Sequence, residues 1–93
     1  MTCNLEGRVA LVTGAGRGIG RAICFALGQA GATVVAAART TEQIEAVASG
    51  ITGAGGNAIA IRADIAEESD VCALFDQVNE RLGVSLELEL EIW

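Results

Sequence analysis

Residues 13–20 read Thr13-Gly14-Ala15-Gly16-Arg17-Gly18-Ile19-Gly20, with glycine at every second position from 14 onward. The chemistry such a loop suits is the holding of phosphate. Gly14 allows a tight turn out of a preceding strand. Gly18 has no side chain, so a pyrophosphate can come close to the backbone, and Gly20 lets a following helix pack closely. The helix would then aim free N–H groups and a partial positive charge at the phosphates. A glycine-rich turn with no ligand is the rival reading, and glycines alone are weak evidence against it. Context favours a dinucleotide: an apolar run precedes the loop, an amphipathic helix pattern follows, and both sit in a strand–helix–strand unit. A Walker-type loop is excluded, because no Gly-Lys-Ser/Thr follows.

Other residues of possible chemical use are few. Arg39 ends the second apolar run and follows Ala38. A site preferring NAD places Asp or Glu near this point to hold the ribose 2′-hydroxyl. An acid would repel a 2′-phosphate, whereas an arginine can pair with it through two hydrogen bonds. The spacing therefore favours NADP(H) over NAD(H), against the alternative of a solvated surface arginine. Asp64 follows the third apolar run, where an Asp can cap a helix. The chain has no Tyr, no Lys and no His. Ser49, Ser69 and Ser85 have no plausible base near them in sequence, so no general acid–base group is evident. Cys3, Cys24 and Cys72 are odd in number and far apart, and without His they make a poor zinc set. Cys24 and Cys72 fall among apolar residues on expected helices. They are read as buried free thiols in a reducing compartment, which points to the cytoplasm.

Elements that could position these residues follow from periodicity. Residues 8–13, 32–38 and 58–61 are short apolar runs, as expected of strands buried on both faces of a parallel sheet. A first helix is expected through residues 21–27, ending near Gly31, with Ile19, Ile23, Ala26, Leu27 and Ala30 on its inner face. Gly28 within it costs about 1 kcal/mol relative to Ala. Thr40 or Thr41 can cap the second helix, Thr40 and Gln43 having capping-box spacing. That helix places Ile44, Val47, Ala48 and Ile51 inward and ends in residues 53–56. The third helix is expected over residues 67–82, with Val71, Leu74, Phe75, Val78 and Leu82 on one face and Gly83 at its end. The order βαβαβα implies an α/β fold with right-handed crossovers and strand order 3-2-1. Any further strand would lie beside the first.

Composition agrees with a small packed domain. The chain has 93 residues, 52% of them hydrophobic, with no proline. A chain of this size buries only about 60–65% of its unfolded surface, so its stability is expected to be marginal. The net charge is −6, and the absence of lysine argues against nucleic-acid binding. The first seven residues lack the basic start and apolar core of a signal peptide. The longest apolar run, 32–38, is too short to cross a bilayer.

The spacing TGxxxGxG, preceded by Leu5-Glu6-Gly7-Arg8-Val9-Ala10-Leu11-Val12, resembles the short-chain dehydrogenase/reductase family. Residues 12–23 are especially similar to 3-oxoacyl-acyl-carrier-protein reductases. The likeness runs from about Leu5 to Gly83. It implies a partial Rossmann fold, doubly wound, with three or four parallel strands and a nicotinamide dinucleotide as partner. It implies that Gly14, Gly18, Ile19 and Gly20 contact the cofactor and that Arg17 is a second basic residue for the 2′-phosphate. By the same likeness, Asp64 bonds the adenine amino group and the backbone of Ile65 assists. The family's catalytic set is Asn, Ser and a Tyr-x-x-x-Lys pair, and Tyr and Lys are missing from this chain. The family's oligomerisation helices also lie later than its last residue.

Residues 84–93, Val84-Ser85-Leu86-Glu87-Leu88-Glu89-Leu90-Glu91-Ile92-Trp93, depart from the family. They alternate apolar and acidic residues with period two, the pattern of a strand wet on one face. Either this tail pairs beside the first strand as an edge, or it is an unrelated, disordered end. The chain therefore divides into a truncated NADP-binding domain over 1–83 and an atypical tail over 84–93. The expected function is the NADP(H)-binding portion of an oxidoreductase. The alternatives are a non-catalytic interaction or regulatory fragment, or an unstable truncation product.

Overall fold

The computed structural model describes residues 5–82 and 90–92. The elements alternate as β1 (Val9–Thr13), α1 (Gly18–Gln29), β2 (Thr33–Ala38), α2 (Thr41–Gly53), β3 (Asn57–Arg62), α3 (Glu68–Leu82) and β4 (Leu90–Ile92). All strand pairs are parallel and the order is β3-β2-β1-β4. This is the open, doubly wound α/β arrangement, a partial Rossmann fold. Of the two readings of the tail, residues 90–92 take the first. Leu90 pairs in register with Val9, and Ile92 with Leu11, which makes β4 an edge.

β1 and β2 are apolar on both faces because both faces are covered. Ala10 and Val12 of β1 join Cys24, Leu27, Ile44 and Val47 in one core beneath α1 and α2. Val9 and Leu11 point the other way, into a second core with Leu74 and Val78 of α3. This alternation is the period-two geometry of a strand with no polar side.

α1 and α2 interlock through two glycines. A Cβ on Gly28 of α1 would lie 2.7 Å from Ile51 Cγ2, and one on Gly50 of α2 would lie 2.9 Å from the Phe25 ring. Each helix inserts a large side chain where the other has none, so Gly28 lets two helix axes approach. Both helices end in the same device. Gly31 N–H donates to the Gly28 carbonyl and Ala32 N–H to that of Leu27. Gly55 and Gly56 N–H repeat the pair on Thr52 and Ile51.

The structure corrects four expectations. Ile19 is 81% exposed and Ala26 is exposed; Leu27 is buried and Ile23 packs on the core as expected, and Cys24 and Gly28 are buried beside them. The inner stripe includes small residues, Cys24 and Gly28, which a search for large apolar side chains passes over. Cys24 is buried, but Cys72 is exposed on the outer side of α3. Thr40 is the N-cap of α2, yet its side chain makes no capping bond, so the expected box with Gln43 does not form. The α2 stripe is as expected, and in α3 Leu74 and Val78 are buried with Phe75 and Leu82 packed against them. Cys3, Gly83, Ser85, Glu87 and Glu89 lie outside the described residues.

Candidate functional site

The glycine loop begins where β1 ends. Gly14 and Gly18 have φ of +62° and +60°, the left-handed region that disfavours any side chain. A Cβ on either would meet nothing within 4 Å, so both positions border open space. Gly20 is glycine for a different reason. A Cβ there would collide with the Gly14 carbonyl and lie 2.8 Å from its carbon. The first turn of α1 thus closes on its own loop rather than simply on the sheet. Ala15 is fully buried, and its N–H donates to the Ala37 carbonyl at 3.2 Å, which ties the loop to the end of β2.

Arg17 is the N-cap of α1. Its backbone is extended, no side chain caps the helix, and the first turn holds no acidic residue. Most helices start with Ser, Thr, Asp or Asn, whose oxygen accepts a first-turn N–H. Without one, α1 keeps its N-terminal donors and partial positive charge for an anion.

A cleft of about 530 Å³ opens at the C-terminal ends of β1, β2 and β3. Its base is Gly14, Gly16 and Arg17; one wall is Ala38, Arg39 and Thr40, with Gln43; the other is Ala63, Asp64, Ile65 and Ala66. Ligands of open α/β sheets bind at this end of the strands. Of the eight residues singled out from sequence, Gly14, Arg17, Arg39, Asp64 and Ile65 line the cleft. Gly18, Ile19 and Gly20 form the first turn of α1 beside it and do not line it. Ile19 and Ile65, at 81% and 60% exposure, are the exposed large hydrophobics among the described residues, and both flank this region.

Asp64 does not cap α3, which starts four residues later. It builds a turn of its own: Oδ1 accepts the Ala66 N–H at 3.0 Å and its carbonyl accepts the Glu67 N–H at 2.9 Å. Asp70 of α3 reaches back to this turn, accepting the Asp64 N–H at 2.9 Å. Sequence reasoning missed Asp70 and also Gln43, which lies so close to Gly16 that a Cβ there would be 2.6 Å from Oε1. The signal for Gln43 was the second glycine of the loop, Gly16, whose lack of a side chain is needed by a neighbour from α2.

The remaining chemistry is sparse. Burial pushes the Cys24 thiol up to about 11, so it is a poor nucleophile at neutral pH. Among the described residues no three potential metal ligands gather, and no helix is long and apolar enough to cross a membrane.

Comparison with known proteins fits this geometry. The model of a family described as short chain dehydrogenase matches residues 8–87. A versicolorin reductase of Emericella nidulans is 51% identical over 80 residues, covering 85% of this chain and 30% of that protein. A trihydroxynaphthalene reductase of Pestalotiopsis fici is 44% identical over 83 residues, 88% of this chain and 29% of that one. A solved metagenomic short-chain oxidoreductase in complex with NADP has a TM-score of 0.81 at 43% identity, covering 85% of this chain and 36% of that one. The chain thus spans about 30% of the length of the curated relatives it matches.

Proposed function

The chain belongs to the short-chain dehydrogenase family, and on that premise we propose that it is the NADP(H)-binding portion of an oxidoreductase. The parent activity is hydride transfer between a nicotinamide and a carbonyl or alcohol, and the nicotinamide, when bound, would supply the hydride to a carbonyl or accept it from an alcohol. Residues 1–83 form the cofactor domain in this reading, and 84–93 its atypical tail. The chain's own part is to hold and orient the dinucleotide. Gly14, Gly18 and Gly20 shape the pyrophosphate cradle, with the free N–H groups at the start of α1 as donors. Ile19 covers the cofactor where it leaves that cradle. Arg39 and Arg17 pair with the 2′-phosphate. Asp64 and Ile65 meet the adenine. The free thiols Cys24 and Cys72 suit a cytoplasmic location. With no Tyr or Lys in the sequence, we assign the proton-transfer step to residues other than these.

The observation that carries the reading is the cleft itself. An uncapped helix N-terminus and two arginines meet in it, and Ala38 stands where an acid would select NAD. The residues fit the cofactor, because the left-handed Gly18 leaves open space where a side chain would meet the pyrophosphate.

The test is thermal unfolding of the chain with saturating NADPH, with NADH as control. A ligand at one hundred times its dissociation constant stabilises the folded state by about 2.7 kcal/mol. In a domain of this size that raises Tm by roughly 10–20 °C. A rise with NADPH that exceeds the rise with NADH is expected. Equal shifts would overturn the preference for NADP(H). No shift would overturn the binding reading.

A further inference from the structure

We propose that Asp70 is a positioning residue for the far wall of the cleft, holding the turn at Asp64–Ala66 through a single carboxylate oxygen. This inference rests on the cofactor reading above. β3 ends at Arg62, and Ala63 still donates its N–H to the Ala38 carbonyl of β2, at 3.0 Å. Asp64 is therefore the first residue past the strand whose N–H has no strand acceptor. Asp70 Oδ2 takes that N–H at 2.9 Å, in a part-buried bond. The same oxygen lies 3.4 Å from Arg62 Nη1. One atom on α3 thus joins the end of β3, the turn and the helix.

The turn's other hydrogen bonds are internal. Asp64 Oδ1 accepts the Ala66 N–H and the Asp64 carbonyl accepts the Glu67 N–H. These shape the turn but do not fix its place on the domain. Asp70 supplies that external anchor, and it is itself well placed, since a carboxylate in the first turn of α3 faces the positive end of the helix. The location matters for one part of the ligand. The pyrophosphate belongs at the start of α1 and the 2′-phosphate at Arg39, so the base must lie beyond Arg39, against the β3 wall. Asp70 is not among the residues that line the cleft and acts through Asp64 and Ile65, which are.

The test uses the whole chain and the variants Asp70→Ala and Asp70→Asn. Two probes separate the ends of the cleft: adenosine 2′,5′-bisphosphate for the β3 side and inorganic pyrophosphate for the glycine loop. Loss of a part-buried acceptor in Asp70→Ala should weaken the bisphosphate about tenfold. Pyrophosphate affinity should stay within about twofold of wild type, because its donors are on α1. Asp70→Asn keeps an oxygen for the Asp64 N–H and should restore most of the bisphosphate affinity. Hydrogen exchange gives a readout that needs no ligand: the Asp64 amide should exchange faster in Asp70→Ala and near the wild-type rate in Asp70→Asn. An equal loss for both probes, or an Asp64 amide indifferent to Asp70→Ala, would overturn the proposal. If wild type shows a protected Asp64 amide yet binds neither probe, the cofactor reading fails while the clip stands.

Discussion

Arg39 stands at the lip of β2, directly after Ala38, and lines the cleft; in the proposed reading it is the residue that distinguishes two cofactors differing by one phosphate. Replacing it with alanine should weaken NADPH by about 10–100-fold, the worth of a charge-assisted pair of hydrogen bonds, while NADH changes less than about threefold. Titration of both cofactors against Arg39→Ala checks this, and equal losses would refute the role. Cys24 carries a prediction of another kind. Its thiol is raised from 9.0 to about 11 by burial, so the folded chain holds the proton more tightly than the unfolded one. The associated stability is fully present below pH 9 and is lost as pH rises through 11, a loss on the order of 2–3 kcal/mol. Urea unfolding at pH 8 and pH 10.5 should show the loss, and Cys24→Ala should show less of it. Individual residues differed in how well sequence announced them. The glycines at 14 and 18 were legible because left-handed backbone leaves few choices. Asp70 was not, because its role depends on a contact six residues back in the chain, across a turn whose shape no spacing rule gives.

Elements were legible in order and type, since each apolar run and each helical stripe had a distinct period. The faces of α1 were not. Its buried stripe contains Cys24 and Gly28, and small residues look neutral until a partner helix is known. The interlock of α1 with α2 makes opposite predictions for two glycines. Gly28→Ala puts a methyl 2.7 Å from Ile51 Cγ2, a buried and branched side chain. Overpacking should outweigh the gain in helix propensity and leave the domain about 1 kcal/mol less stable. At Gly53, in the last turn of α2, a Cβ meets nothing within 4 Å. There the same substitution should stabilise by about 0.5–1 kcal/mol. Paired denaturation curves decide, and like signs would refute the interlock. The capping box failed for a related reason: spacing offers Thr40 and Gln43 to each other, but Gln43 lies against the glycine loop instead.

At the scale of the whole fold, the four described parallel strands run in the order β3-β2-β1-β4, with β3 and β4 as the outer two. Alternation told that residues 84–93 could form a strand wet on one face. It could not tell whether they would pair, because pairing depends on which edge of the sheet is free. The two-sided burial of β1 and β2 was legible in their unbroken apolar runs, and the strand order followed from handedness. Thermal unfolding with cofactor remains the measurement at this scale, since binding to the folded state alone turns affinity into stability. One property of the cleft reaches further. Among the described residues, those that line it fall within one continuous stretch, from Gly14 to Ala66. A binding surface written in a single passage can be copied, spliced or inherited as one unit. On the proposed reading, recombination downstream could then exchange the substrate-handling part without disturbing the part that grips the cofactor. Relatives bearing the names of different reductases and sharing this passage are what such a history would leave behind.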